Sequence, residues 1–204
     1  FGASAAGARV MTSSSSPGIS LKQEGISYIA GAELPCVIVN VVRGGPGLGN
    51  ISGAQGDYFQ ATKGGGHGDY RIVVLTPASV QEMFDFTFDA FRIADQYRIP
   101  VMVLADGMLG QMMEPLEYDP DRAPSGIISK PWALTGAKGR AAQSVKSLLL
   151  GDGALEEHNK KLQRRYQEIA AKETQWEAHE TERADIILVA YGTTARIARN
   201  AAIR

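Results

Sequence analysis

The sequence predicts an α/β protein organised on a parallel sheet. Three observations carry that expectation. Apolar, β-branched runs at residues 37–42, 71–75 and 100–105 read as buried strands. Stretches with helical periodicity separate them. The first units alternate strand, loop, helix and strand, which is the βαβ pattern of a parallel sheet.

Taken in order, residues 2–8 read as the end of a helix and 9–12 as a short strand. Residues 13–18, Ser-Ser-Ser-Ser-Pro-Gly, form a loop rich in hydroxyls and turn formers. A helix is expected from Ile19 to about Ala32, with Ile19, Ile26 and Ile29 on one buried face. The strand to Val42 follows, and then an irregular stretch with a short helix at 54–62. Residues 63–70 are a second glycine-rich loop, leading to the strand at 71–75. Ser79 caps the next helix, with Glu82 completing a capping box. Val80, Met83, Phe84, Phe88 and Phe91 form its expected buried stripe, widened by Phe86 and Ile93. The strand at 100–105 ends at Asp106-Gly107. Residues 108–150, with Pro115, Pro120, Pro124 and Pro131, read as a long connection over the surface, a length often associated with function. A charged helix is expected over 154–183, packed by Leu155, Leu162, Tyr166, Ile169 and Trp176. Residues 185–190 read as a buried strand, and 191–194 as a turn capping a helix at 195–204.

This gives three expected regions: a sheet domain at 1–120, a linker and charged helix at 121–184, and the start of a second α/β domain at 185–204. The chain opens without Met inside an element and closes on a helix still under way, so it reads as a fragment.

Composition removes several function classes. The 204 residues carry 21 basic and 22 acidic side chains, which gives no reason to expect nucleic acid or an acidic membrane as partner. No apolar run reaches membrane-spanning length, and the first residues lack the features of a signal peptide. The single cysteine, Cys36, excludes an internal disulfide and an iron–sulfur cluster held by this chain alone. Inside an apolar strand, it reads as core rather than nucleophile.

The stretch Val39 to Gly49 carries the chemistry. A buried strand ends at Arg43, and Gly44, Gly45, Pro46, Gly47 and Gly49 follow. Ligands of open α/β sheets sit outside the carboxyl ends of the strands. A guanidinium there offers a planar fork suited to a carboxylate or phosphate, and the glycines let backbone approach it. An arginine at a strand end can equally pair with a neighbouring acid or face water. The glycines do not match a dinucleotide fingerprint, because Pro46 interrupts them and no helix follows with the third glycine. No Walker sequence is present. His67, His158 and His179 are scattered, which argues against a metal site built from them. His67, ringed by glycines, is the one of interest, although a loop histidine is not functional for that reason alone. Asp106-Gly107 and Gly151-Asp152-Gly153 resemble the opening of a thiamine diphosphate metal motif, but no Asn pair follows either, so no magnesium site is placed on this chain.

With these residues in view, the chain resembles the α subunit of the 2-oxoacid:ferredoxin oxidoreductases. The stretches that carry the resemblance are Met-Thr-Ser-Ser-Ser-Ser-Pro-Gly at 11–18, Val-Val-Arg-Gly-Gly-Pro-Gly at 41–47, Gln-Gly-Asp-Tyr at 55–58 and Gly-Gly-His-Gly-Asp-Tyr at 65–70, together with 187–194. The serine-rich loop and the Gly-Gly-Gly-His-Gly run are most similar to the 2-ketoisovalerate (branched-chain) branch.

The resemblance implies a pyrimidine-binding domain for thiamine diphosphate followed by a second α/β domain. Arg43 would bind the 2-oxoacid carboxylate. Ser13, Ser14, Pro17, Gly18 and Gly44 would lie against the cofactor or substrate. The cofactor would be shared with a β subunit that holds its diphosphate through Mg2+, and [4Fe-4S] clusters would sit on partner subunits of the β and γ/δ kind. The implied reaction is oxidative decarboxylation of a 2-oxoacid to an acyl-CoA, with coenzyme A as co-substrate and ferredoxin reduced, in the cytoplasm. Pyruvate or 2-oxoglutarate is the alternative substrate. The family's Tyr-Pro-Ile-Thr-Pro motif and its activating glutamate do not occur in this sequence. The protein must supply that tuning to the cofactor, so this chain alone is expected to turn nothing over. Two other readings remain: a non-catalytic scaffold, recognised by failure of reassembled complexes to bind thiamine diphosphate, and a plain nucleotide-binding module, which the missing fingerprint opposes.

Overall fold

The structure is a computed structural model and describes residues 1–121 and 128–203. Pro124 of the long connection and the last residue of the closing helix therefore lie outside the described residues. The elements in chain order are α1 (Gly2–Ala5), β1 (Met11–Ser14), α2 (Pro17–Ser20), α3 (Gln23–Gly31), β2 (Cys36–Val42) and α4 (Tyr58–Lys63). They continue with β3 (Val73–Leu75), α5 (Val80–Tyr97), β4 (Pro100–Asp106), a 3-10 turn (Leu109–Gln111), α6 (Ala154–Glu173) and α7 (Gly192–Ala202).

The sheet is parallel throughout, in the order β1-β2-β4-β3. The register sets Ser13 beside Val39 and Ser14 beside Asn40, and runs Val42 level with Asp106. Period-two alternation sends β2 and β4 side chains to opposite faces. Ile38, Val42, Met102 and Leu104 pack with Ile26, Ile29 and Ala30 of α3 and Ala61 of α4. Val37, Val39, Val101 and Val103 pack on the other face with Ala90, Ile93, Ala94 and Tyr97 of α5 and with Ile169 of α6. Both faces are covered, which is why these strands are continuous apolar runs. Connections from β1 and β2 use one face and that from β3 the other, so the crevice outside β2 and β4 is a topological switch point, where such sheets bind ligands.

Several elements differ from expectation. The helix over 19–32 is two helices. Pro17, at a helix-starting position, opens α2 early, and the chain restarts at Gln23 after Leu21 caps the first turn. Lys22 fixes the break by donating from Nζ to Thr12 Oγ1 (2.8 Å) and Ser13 O (2.7 Å). On α5, Phe84, Phe86 and Phe88 are only half-buried. Phe84 packs instead on Phe88 (5.0 Å between centroids) and on Tyr118 of the long connection (5.9 Å). The Ser79 cap is present, accepting from Glu82 N, while the Glu82 carboxylate accepts from Ala78 N at 2.7 Å rather than from the cap residue itself.

The charged helix α6 stops at Glu173, ten residues' worth of pattern earlier than the polar sequence suggests. Leu162 and Ile169 are buried, but Leu155 and Trp176 at the ends of the stripe are exposed, so no packing extends the helix past Glu173 among the described residues. Residues 185–190 are not a buried strand: they are exposed and without regular structure. A strand exists only where a neighbour completes its ladder, and the described residues provide none beside it. The helix that follows, α7, forms as expected but starts at Gly192.

Candidate functional site

Arg43 leaves the end of β2 at the switch-point crevice. Its backbone makes an antiparallel bridge with Gly53, straddled by Gly44 N donating to Ser52 O (2.9 Å) and Ala54 N donating to Val42 O (3.4 Å). Between these limbs the glycine loop closes through Asn50 N donating to Gly44 O at 3.0 Å. Gly49 makes the closure possible. It sits at φ 54°, and a Cβ there would lie 1.7 Å from Gly44 O, a position no other residue fills. Arg43 as a residue is half-buried, but its guanidinium donates from Nη1 to Leu48 O and to Asn50 O (3.4 Å) on the exposed side of the loop. Among the described residues it has no ion pair. Its fork rests on two main-chain carbonyls of its own loop, both neutral acceptors.

The serine-rich loop leaves β1 at the same edge. Ser14 and Gly18 are in intimate contact: a Cβ on Gly18 would lie 2.1 Å from Ser14 Oγ. Pro17 opens α2, and Ser16 before it adopts φ 51° without a side-chain cap bond. The structure therefore puts Ser13, Ser14, Pro17 and Gly18 on one edge with Arg43 and Gly44. No hydrogen bond among the described residues joins Arg43 to the serine loop. Gly44 faces Asn50, whose Oδ1 would lie 2.9 Å from an added Cβ and accepts from Ser52 N at 2.8 Å.

His67 is exposed, at φ 57°, and its carbonyl accepts from Ser27 Oγ at 2.8 Å. That bond and the close seating of Gly65 on Gln23 tie the second glycine loop to α3. Asp106 is buried and its Oδ1 accepts from Met108 N (2.9 Å) and Leu109 N (3.0 Å), so it caps the 3-10 turn. Among the described residues no group of three His, Cys, Asp or Glu is arranged to hold a metal ion. Cys36 is buried, and burial pushes its thiol up, as a core residue requires.

Sequence reasoning missed four residues here. Asn40, fully buried in β2, donates from Nδ2 to Asp57 Oδ2 at 2.9 Å, while its Oδ1 has no partner among the described residues. An asparagine inside an apolar run was the available signal, because a buried amide demands partners. Lys22 beside the serine loop carried no signal. Gln55 and Tyr191, which meet at the crevice, are 136 residues apart in sequence and no local pattern links them. Burial, with the nearby Tyr58, Asp106 and Asp57, raises the Tyr191 phenol, which keeps it a neutral donor to Gln55 O (3.3 Å).

A parallel sheet with an arginine, hydroxyls and close-packed glycines gathered outside its carboxyl edge has the layout of a ligand-binding α/β domain. Comparison with known proteins gives the family. The family described as pyruvate flavodoxin/ferredoxin oxidoreductase, thiamine diphosphate binding, matches residues 1–184, and this chain belongs to it. It is 54% identical over 201 residues to the ketoisovalerate oxidoreductase subunit VorB of Methanothermobacter marburgensis, covering 98% of this chain and 57% of that protein. It is 50% identical over 115 residues to the 2-oxoglutarate synthase subunit KorA of Methanocaldococcus jannaschii, covering 56% of this chain and 31% of that one. Among solved structures, the 2-oxoglutarate:ferredoxin oxidoreductase from Magnetococcus marinus, with 2-oxoglutarate, coenzyme A and succinyl-CoA bound, superimposes with a TM-score of 0.74. That match has 27% identity and covers 98% of this chain and 40% of that chain. The chain thus spans only a little over half the length of the VorB relatives it matches.

Proposed function

We propose that this chain provides the 2-oxoacid clamp and the pyrimidine side of the cofactor site in a thiamine-diphosphate-dependent 2-oxoacid:ferredoxin oxidoreductase. The observation that carries the proposal is Arg43: a cation at the switch point whose fork, among the described residues, is met only by neutral carbonyls. A substrate carboxylate is the stronger acceptor for that fork, because charge-assisted bidentate pairs are about twice as strong as neutral ones.

The residues fit one end of thiamine diphosphate. Ser13 and Ser14 offer hydroxyls, Pro17, Gly18 and Gly44 keep the rim free of long side chains, and among the described residues the buried Asn40 Oδ1 is without a partner. Bound there, the cofactor supplies the electron sink for decarboxylation. This chain orients the carboxylate that is lost and shields the reacting end from water.

The substrate we assign is a branched-chain 2-oxoacid, 2-ketoisovalerate. The similarity to VorB runs through nearly the whole chain, whereas that to KorA is confined to little over half of it. Coenzyme A as acyl acceptor is supported by the bound ligands of the Magnetococcus enzyme. The relatives are named as subunits, in keeping with β and γ/δ partners that carry [4Fe-4S] clusters and pass electrons to ferredoxin. No described helix is long and apolar enough to cross a membrane, which accords with the proposed cytoplasmic location.

The test is Arg43→Ala in the complete complex. Removing one member of a desolvated charge pair costs about 2–5 kcal/mol, so KM for the 2-oxoacid should rise by more than about thirtyfold. An unchanged KM removes Arg43 from the site.

A further inference from the structure

We propose that Gln55 is a positioning residue for the Arg43 clamp, latching the returning limb of its loop to the start of α7. The inference rests on the reading of Arg43 as the carboxylate-binding group.

The argument begins at the backbone. The two hydrogen bonds that straddle Arg43 both end on residues 52–54, so Arg43 is only as well placed as that limb. Residues 45–53 are exposed and glycine-rich; the limb is packed only from Gly53, which lies against Gly107 and Met108, and Ala54, which rests on the core. Gln55 is the first side chain beyond the bridge with hydrogen-bond partners among the described residues. Its Nε2 donates to Tyr191 O at 3.0 Å, and its Oε1 accepts from Thr194 Oγ1 at 2.9 Å. Its own carbonyl accepts from Tyr191 OH at 3.3 Å. Both ends of the amide are used, and the Tyr191 carbonyl fixes its orientation: reversing it would set two acceptors against each other there, whereas the Thr194 hydroxyl can donate or accept.

The anchor is itself held. Tyr191 stacks on Tyr58 with centroids 5.4 Å apart and an interplanar angle of 26°. Arg196 of α7 pairs with Glu114 at 2.5 Å, and the other Glu114 oxygen accepts from Val80 N at 3.0 Å, tying α7 to the start of α5. On its inner side the same limb is held by Asp57, which takes the amide of fully buried Asn40. An exposed, glycine-rich loop is thus gripped just past the point where it pairs with Arg43, by the start of a helix far along the chain.

The test uses the complete complex with 2-ketoisovalerate, coenzyme A and a ferredoxin. Losing one or two neutral hydrogen bonds in Gln55→Ala should raise KM about five- to tenfold while kcat stays within about twofold. Hydrogen exchange at the Gly44 and Ala54 amides should quicken while α7 remains protected. Thr194→Val, which removes only a hydroxyl, should shift KM in the same direction by less. The double variant should be no worse than Gln55→Ala, because Thr194 acts through Gln55. An unchanged KM in Gln55→Ala, beside a raised KM in Arg43→Ala, overturns the latch and leaves the clamp standing. An unchanged KM in Arg43→Ala removes the clamp, and the latch with it. Should Gln55→Ala fail to assemble, Thr194→Val decides: an unchanged KM with unchanged Gly44 and Ala54 exchange overturns the proposal, and a shift in both supports it.

Discussion

Gly49 is the position in the Arg43 loop that tolerates least change. Any side chain there meets the Gly44 carbonyl and adopts a left-handed backbone, which costs about 1–2 kcal/mol before the clash is counted. Gly49→Ala should open the loop and raise the 2-oxoacid KM, with little change in melting temperature, because the loop is exposed and contributes nothing to the core. Steady-state kinetics beside a thermal melt of the same complex separates the two. The residues of this site were unevenly legible in the sequence. The place of Arg43 at the end of β2 could be read, because an apolar run closed by a cation and a run of glycines marks where a strand stops. Asn40 left a trace that was passed over. Lys22 and Gln55 were not legible: each finds its partners through the fold, on elements whose juxtaposition no local pattern encodes.

At the scale of elements, α6 is the piece held by charge. Glu33, at φ 54° just past the end of α3, accepts from Lys161 (2.6 Å) and Arg165 (2.5 Å) of α6. Near the other end, Glu173 accepts from Arg92 (2.9 Å) and from the phenol of Tyr97 (2.9 Å) on α5. Burial acts to raise the Glu33 carboxyl, but the hydrogen bonds from Lys161 and Arg165 outweigh it and leave it below its ordinary 4.5. Arg92 does the same for Glu173. Groups lowered in the folded state stabilise it fully above their unfolded value of about 4.3 and lose that effect as pH falls through their folded values. Hydrogen exchange should therefore show α6 loosening below pH ~4 before the sheet does, and Glu33→Gln should weaken α6 at neutral pH while flattening this acid dependence. Tyr97 is pushed up to about 12 by burial and then by its bond to Glu173. In Glu173→Gln a spectrophotometric titration should find that phenol ionising at lower pH. The start of α5 was readable because a capping serine is a local device. The end of α6 was not, since a polar helix continues only as far as something packs against it, and Trp176 has nothing to pack on.

For the whole molecule, the parallel sheet and its helical layers followed from apolar runs and their spacing, but the strand order did not, because β4 inserts between β2 and β3 through contacts distant in sequence. The expected strand at 185–190 failed for a related reason: its composition suits burial, yet Ile186, Ile187, Leu188 and Val189 are all at least 60% exposed. A contiguous apolar stretch of that kind is an association surface. The polypeptide of this sequence alone should self-associate in sedimentation velocity, and Leu188→Lys with Val189→Lys should reduce it. The same material, given 2-ketoisovalerate and a ferredoxin, should reduce nothing. The sheet itself offers a visitor little. Its long strands, β2 and β4, lie at the centre, and its margins, β1 and β3, are four and three residues long. A neighbouring subunit that tried to join edge-on would find a ladder only a few rungs deep. Pairing along either edge would therefore add little, and the proposed partner subunits are left the helical faces and the rim where the strands finish.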